Sequence, residues 1–480
     1  MSRARAIAQR LLDRIINLQS GELLPVLLAA LWFFLILSAF MVLRPARESL
    51  GLTQGIDTVR GLFMATMAVT LLVAPGFSWL VTKLPRHIFI PIAYACFIPQ
   101  LLIFHLLLIG GNEAIGETTG RIFYIWLSVF NVFGVTVFWA LMADGFSLAQ
   151  SKRLFGAVAI GGTLGAISGS GIASLTVERL GTPALLLIAS GLISCAILCV
   201  IILSRLFAKR RADAARLDEQ DDPDNPWRDP AAATHRAGHQ HPGDDHAGDA
   251  HAVIGGRTYA FITHVVRSPY LLGMCGFILL TAIMATVFYF LQLRLVEDLG
   301  QEVDRQTRTF ANIDLWTQVA TLLLQGLLTG HIMRRLGVGV ALVILPVISA
   351  IGIGALAIFP TIGLFIIVNA AFKAVQHGMM RPARETLFTV LPREDKYKAK
   401  TFIDTFVYRT GDVVGAQAEK ALDAIGGLTA VALVVLPLAP LWAALGIYLA
   451  RTQQHLAEDA SSRRPPSDDL SAHAAPLPNS

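Results

Sequence analysis

KAVQHGMMRPARETLFTVLPREDKYKAKTFIDTFVYRTGD, residues 373–412, sets a row of charges at the end of a hydrophobic run, TIGLFIIVNAAF. The first half of the stretch therefore continues an apolar helix. Lys373, His377 and Arg381 recur every four residues, which places them on one helix face. Arg384 and Glu385 extend that face by a turn, and a basic patch follows at Arg393, Lys396, Lys398 and Lys400. A second helix then carries Asp404, Tyr408, Arg409 and Asp412. Charges in spanning helices are costly, and they line a bundle interior or a watery cavity. The core of the stretch has a twin: RPARETLF at 381–388 echoes RPARESLG at 44–51.

Working outward, the whole chain shares this apolar background. Its 480 residues are 54% hydrophobic and 15% charged, with mean hydropathy +0.59, more apolar than a water-soluble domain requires. The net charge of +5 sits mostly in loops, so it is a topology signal and not a nucleic-acid footprint. Cys96, Cys195, Cys199 and Cys275 all lie in apolar runs and fit small core residues better than a disulfide or metal framework.

Residues 1–20 carry four arginines and one acid with apolar residues at helical spacing, an amphipathic interfacial helix by this pattern; a transit peptide is the alternative. Apolar runs long enough to span a bilayer follow at 23–43, 60–82, 88–110, 121–144, 154–176 and 182–204. A polar segment at 205–260, rich in Asp, His, Arg, Ala and Pro, reads as a flexible linker. Six more runs lie at about 269–293, 309–331, 337–359, 361–380, 401–421 and 428–450, before a polar tail at 451–480. The expected architecture is an all-α membrane protein of twelve spans, in two six-helix bundles at 21–204 and 261–450. The Lys/Arg bias of the loops puts both termini and the linker in the cytoplasm, as for an inner-membrane protein.

Internal similarity supports two related halves. Residues 138–166 and 378–416 share a plan of helix, basic loop and glycine-containing helix. Basic loops at 79–87 and 330–337 also correspond. Such repeats are typical of transporters, with the substrate site expected between the halves near the midplane.

This layout resembles the major facilitator superfamily. More narrowly, three stretches resemble the ATP/ADP translocase (NTP/NDP exchange transporter) family of plastids and intracellular bacteria, with its free-living relatives. They are VLRPARESLG at 42–51, FWALMADGFSLAQSKRLFGAVAIGG at 138–162 and KYKAKTFIDTFVYRTGD at 396–412. With the helix plan, the likeness covers roughly 20–450. It implies anion exchange, with Arg47 standing where that family has a lysine. Three of the family's other charges differ: Trp126 or its neighbours replace a fourth-helix glutamate, Phe288 and Tyr289 a seventh-helix glutamate, and Gly411-Asp412 a Gly-Lys. The resemblance therefore implies a divergent branch with a different substrate.

Candidate substrate-binding residues are Arg44, Arg47, Lys373, His377 and Arg381. Candidate gating or coupling residues are Glu48, Asp314, Asp404, Tyr408, Arg409 and Asp412. Each has a plainer reading. Arg381 and Arg384 can snorkel from a helix end. Arg44 and Glu48, four apart, can pair as a gate, and Arg409 can reach Asp412 in a structural network. Asp314 begins a polar stripe with Gln318, Thr321 and Gln325, or pairs with Arg308. The glycines Gly156, Gly161, Gly162, Gly165, Gly169 and Gly171 lack a following Gly-Lys-Ser/Thr, so they read as close helix packing and not a phosphate loop. Histidines at 235–251 read as solvated linker, with loose metal binding the alternative.

No motif of an enzyme, cofactor or metal site appears. The leading reading is a secondary transporter of a small anionic metabolite, nucleotide or otherwise, working as a monomer in the lipid bilayer without nucleic acid. A proton-coupled organic-anion transporter and a non-transporting receptor or assembly factor are the alternatives.

Overall fold

A computed structural model describes residues 22–83, 86–146, 148–220, 265, 267–300, 302–391, 400 and 402–462. The N-terminal segment 1–20, most of the linker, Arg393, Lys396, Lys398 and the tail beyond Ser462 lie outside the described residues. All the described elements are helices, as expected of an apolar chain whose backbone groups must be satisfied within each segment.

The first six are α1 (Leu23–Leu52), α2 (Ile56–Lys83), α3 (Arg86–Gly110), α4 (Glu113–Gly145), α5 (Leu148–Leu180) and α6 (Thr182–Gln220). Then come α7 (Pro269–Glu297), α8 (Val303–Leu324), α9 (Gly330–Ile358), α10 (Ile362–Val375), α11 (Arg381–Leu387) and α12 (Tyr408–Ser462). Three π-helical turns are interposed, at Gln325–Thr329, Gln376–Met380 and Ile403–Val407. Two of the long runs break at glycines that alone tolerate the local backbone. Gly337 interrupts α9 at φ +82°, and Gly427 interrupts α12 at φ +56°. Both breaks fall at expected span boundaries.

Among the described residues, nine helices are long and apolar enough to cross a membrane, one of them being the run Tyr408–Glu458 that holds two expected spans. Helices α2 and α8 stand where spans were expected but are not among the nine. Large apolar side chains such as Leu106, Leu175, Ile351 and Leu433 are exposed on the helix exteriors, the surface that lipid covers. One boundary differs: α6 runs on to Gln220, well into the segment expected to be linker.

By internal contacts the chain forms two compact units. The first comprises 1–255 with 286–322 and 360–371; the second comprises 256–285, 323–359 and 372–480. In the first, α1 is the central post, packed by α4, α5 and α6. Its contact with α5 is backbone on backbone. A Cβ on Gly161, Gly165 or Gly169 would come within 2.3, 2.2 or 2.4 Å of the carbonyl oxygens of Ala30, Phe34 and Ser38. A glycine row at four-residue spacing thus lies on the backbone of α1, and Ser38 Oγ donates to Gly165 O at 2.9 Å. Aromatic rings seal α1 against α4: Phe33 stacks on Phe138 at 4.2 Å, and Trp32 meets the same ring edge-on at 4.7 Å.

In the second unit α9 packs along α12. Trp442 lies 5.9 Å from the Phe277 ring, and Gly411 presses against Ala282 and the Leu279 carbonyl.

Candidate functional site

The C-terminal turns of α1 carry Arg44, Pro45, Ala46, Arg47, Glu48 and Ser49. Pro45 has no N–H, so the carbonyl four residues earlier loses its helix donor. All but the two arginines are buried. What surrounds them comes from both halves of the sequence, within the first unit.

Glu48, 3% exposed, is held on two sides. Arg47 Nη2 donates to its Oε1 at 2.5 Å, and Tyr289 Oη, from α7, donates to its Oε2 at 2.6 Å. Tyr124 Oη, from α4, is 2.6 Å from Tyr289 Oη. Arg47 Nη1 donates to Ser128 Oγ at 2.8 Å, and its guanidinium lies over the Tyr124 ring at 4.4 Å. Five side chains on three helices thus form one closed network. Gly51 makes room for it: a Cβ there would sit 2.8 Å from Tyr124 Cδ2.

Arg44 does not reach Glu48. Its Nη1 lies 3.0 Å from Asp314 Oδ1 on α8, an ion-pair distance without hydrogen-bond alignment. Asp314 is 3% exposed and Arg44 is 23% exposed. Arg308, the alternative partner for Asp314, pairs with Glu178 on α5 instead.

Further polar contacts close the same end of the unit. Ser49 Oγ is 2.5 Å from Thr307 Oγ1, which is also 3.0 Å from Thr182 Oγ1. Asp304 accepts from Thr182 N at 2.8 Å and Oγ1 at 2.7 Å, and Ser174 Oγ donates to Asn312 at 2.5 Å. All of these lie at the C-terminal ends of α1, α5 and α7 and the N-terminal ends of α4, α6 and α8, the end away from the α6 terminus.

The second unit presents Lys373, His377 and Arg381. A π turn lies between the first and last. An α-helix would rotate the two by roughly 80° over eight residues, and the wider turn removes part of that drift, keeping the three nearer one face. Exposure rises along the face: Lys373 and His377 are half-buried and Arg381 is exposed. Beside them Gly378 packs on Leu324 and Gln325, at the junction with the neighbouring π turn. Arg384 donates to Glu385 at 3.2 Å, and Lys400 also pairs with Glu385. Arg409 Nη1 donates to Asp412 Oδ2 at 3.0 Å, and Tyr408, half-buried, begins α12 one turn before Asp412. Asp404 lies in the π turn Ile403–Val407; its side chain lies outside the described residues.

Of the polar stripe on α8, Asp314 and Thr321 are buried, Gln318 is half-buried and Gln325 is exposed; Thr317 joins the buried face. Sequence reasoning missed Tyr124, Ser128, Tyr289 and Thr307. Tyr124 and Ser128, four residues apart in an apolar span, carried a signal of a shared polar face. Trp126 fills an aromatic cluster with Phe123 and Phe130 and donates to Gln100 Oε1 at 2.5 Å. All four cysteines are free, and no His/Cys/Asp/Glu group able to hold a metal occurs among the described residues.

The fold is similar to those of solved transporters. A nucleoside transporter, NupG, matches at TM-score 0.55 and 11% identity over 90% of this chain and 99% of that one. A D-xylose-proton symporter matches at 0.56 and 12%, over 90% and 97%. A POT family transporter in complex with 5-aminolevulinic acid matches at 0.55 and 8%, over 89% and 96%. No curated protein matches the chain. The sequence profile of the Major Facilitator Superfamily matches residues 122–397, more than half of the chain. With the helical plan and the apolar exteriors, that match makes this chain a member of the Major Facilitator Superfamily: an integral membrane transporter of small solutes and not an enzyme.

Proposed function

We propose that the chain is a secondary transporter of a small anionic metabolite, a carboxylate or phosphate compound, working by alternating access across a bacterial inner membrane with both termini cytoplasmic. The observation that carries this reading is spare donor capacity at two nearby arginines. A guanidinium has five N–H donors in a planar fork suited to carboxylate and phosphate. Arg44 has no ion-pair partner but Asp314 among the described residues, and that pair is not aligned as a hydrogen bond. Arg47 Nε is buried without an acceptor. Lys373, His377 and Arg381 add a cationic face in the second unit. The resemblance of 42–51, 138–162 and 396–412 to nucleotide exchangers favours a phosphate-bearing solute within this class. In the proposed orientation the polar contacts around Arg44–Ser49 lie at the outer end.

The test uses full-length protein in a thermal-shift screen with inorganic phosphate, succinate and ADP, then flux in proteoliposomes. A ligand that binds only the folded state raises the apparent stability. Arg44→Gln should lose a charge-assisted hydrogen bond, roughly 1.5–3 kcal/mol, weakening affinity about ten- to hundredfold. A neutral or cationic solute as the best binder, or undiminished anion flux in Arg44→Gln, would overturn the proposal.

A further inference from the structure

The two arginine–carboxylate pairs on α1 differ in how firmly they are held. Arg47 and Glu48 are hydrogen-bonded to each other, and Ser128 and Tyr289 brace them from α4 and α7. Arg44 and Asp314 have only one another as ion-pair partners among the described residues, and they meet without hydrogen-bond alignment. The more exposed member is the cation, and the more buried is the carboxylate. An arriving anion therefore reaches Arg44 before Asp314.

We propose that Arg44 and Asp314 form an exchange pair that obliges one proton to bind with each anionic group. This rests on the anion reading above. A carboxylate or phosphate oxygen takes the guanidinium from Asp314. Asp314 is then a buried carboxylate without a counterion, a state costly enough that the group neutralises instead. One proton from solvent adds to the Asp314 carboxylate while Arg44 keeps its own. The site is neutral before, as Arg⁺ with Asp⁻, and neutral after, as Arg⁺ with the anion beside uncharged Asp314. No bond other than O–H is made. Thr317, three residues on along the same buried face, has a buried hydroxyl oxygen without a partner and offers an acceptor for the new proton.

The other charged and titratable groups around the pair are already committed. On α1, Arg47 and Glu48 bind each other; on α4 and α7, Tyr124 and Tyr289 bond together, and Tyr289 also holds Glu48. On α5, Glu178 pairs with Arg308 of α8, and Asp304 of α8 is bonded by Thr182 of α6. That leaves Asp314 as the carboxylate whose pairing a ligand at Arg44 changes.

The experiment measures binding of inorganic phosphate, succinate and ADP to purified full-length protein as a function of pH, in wild type and Asp314→Asn. The variant experiences each ligand's own titration, so the difference between the two proteins isolates the residue. Wild-type affinity should fall up to about tenfold more per pH unit than that of the variant, the signature of one linked proton. Asp314→Glu should restore the wild-type slope. A second readout needs no variant: adding the anion to lightly buffered wild-type protein should take up about one proton per site more than the free anion accounts for. If an anion binds with equal slopes and no proton uptake, the exchange pair is refuted while the anion reading stands. If none of the three binds, both fall together.

Discussion

The same motif stands in two places and is treated differently in each. RPARES at 44–49 and RPARET at 381–386 place Arg, Pro, Ala, Arg, Glu and a hydroxyl in the same order. In the first copy the glutamate is 3% exposed and fixed by Arg47 and Tyr289; in the second it is 42% exposed and shared between Arg384 and Lys400. Arg44 has Asp314, whereas Arg381 has no ion-pair partner among the described residues. Both hydroxyls reach the carbonyl three residues back, Ser49 to Ala46 O and Thr386 to Ala383 O, but Ser49 also bonds to Thr307 on another helix. The motif's last position shows why. Gly51 leaves room for the Tyr124 ring over Arg47, while its counterpart Phe388 fills that space and lies 5.9 Å below Lys400. A near-identical run of side chains buries its glutamate in a network or leaves it near solvent according to what can approach it.

The sharpest way to break this contrast is to remove the inner arginine of each copy. Arg47→Ala leaves Glu48 buried with one phenol for company and should cost about 3–5 kcal/mol of stability. Arg384→Ala removes a side chain that is only 11% exposed but leaves Glu385, at 42%, with Lys400 and water, and should cost less, about 1–2 kcal/mol. Melting temperatures of the detergent-purified proteins decide it; equal losses would mean that the burial difference carries no energy. A smaller effect is expected from exchanging the last position. Gly51→Phe drives a ring into Tyr124 and should cost roughly 1–3 kcal/mol by overpacking, with loss of the Tyr124–Tyr289 contact. A variant as stable as wild type would show that Tyr124 moves aside freely. The smallest contrast lies at the hydroxyls. Ser49→Ala should cost about 1 kcal/mol through Thr307, and Thr386→Ala only a few tenths. Reversal of that order in a urea titration would contradict the packing described for the first copy.

Much of the fold was legible because lipid demands long apolar runs, and the interruptions at Gly337 and Gly426–Gly427 fall between such runs. That α5 packs closely was legible from small residues at four-residue spacing, but not that its partner is α1. The end of α6 was not: 205–220 is rich in Ala and Arg, good helix formers that carry no apolar pattern to mark a span. The π turns left no trace in composition either. At the site, the charges themselves could be picked out, but not their partners. Arg44 meets Asp314 across 270 positions of sequence, and only the meeting of α1 with α8 shows that Arg44 prefers it to Glu48, one turn away.

The glycine contact between α5 and α1 has a mechanical consequence. It clamps α1 along Ala30–Ser38, where the α5 glycines rest directly on backbone carbonyls that cannot slide or compress. Arg44 lies six residues further on, about 9 Å along the axis. Pro45, beside it, releases one rung of the helix ladder. A rod gripped at its middle and weakened near its tip bends at the tip. Whatever pulls on Arg44 therefore first strains the last turns of α1 and the bonds that tie them to α4, α7 and α8, and moves α5 only after those give.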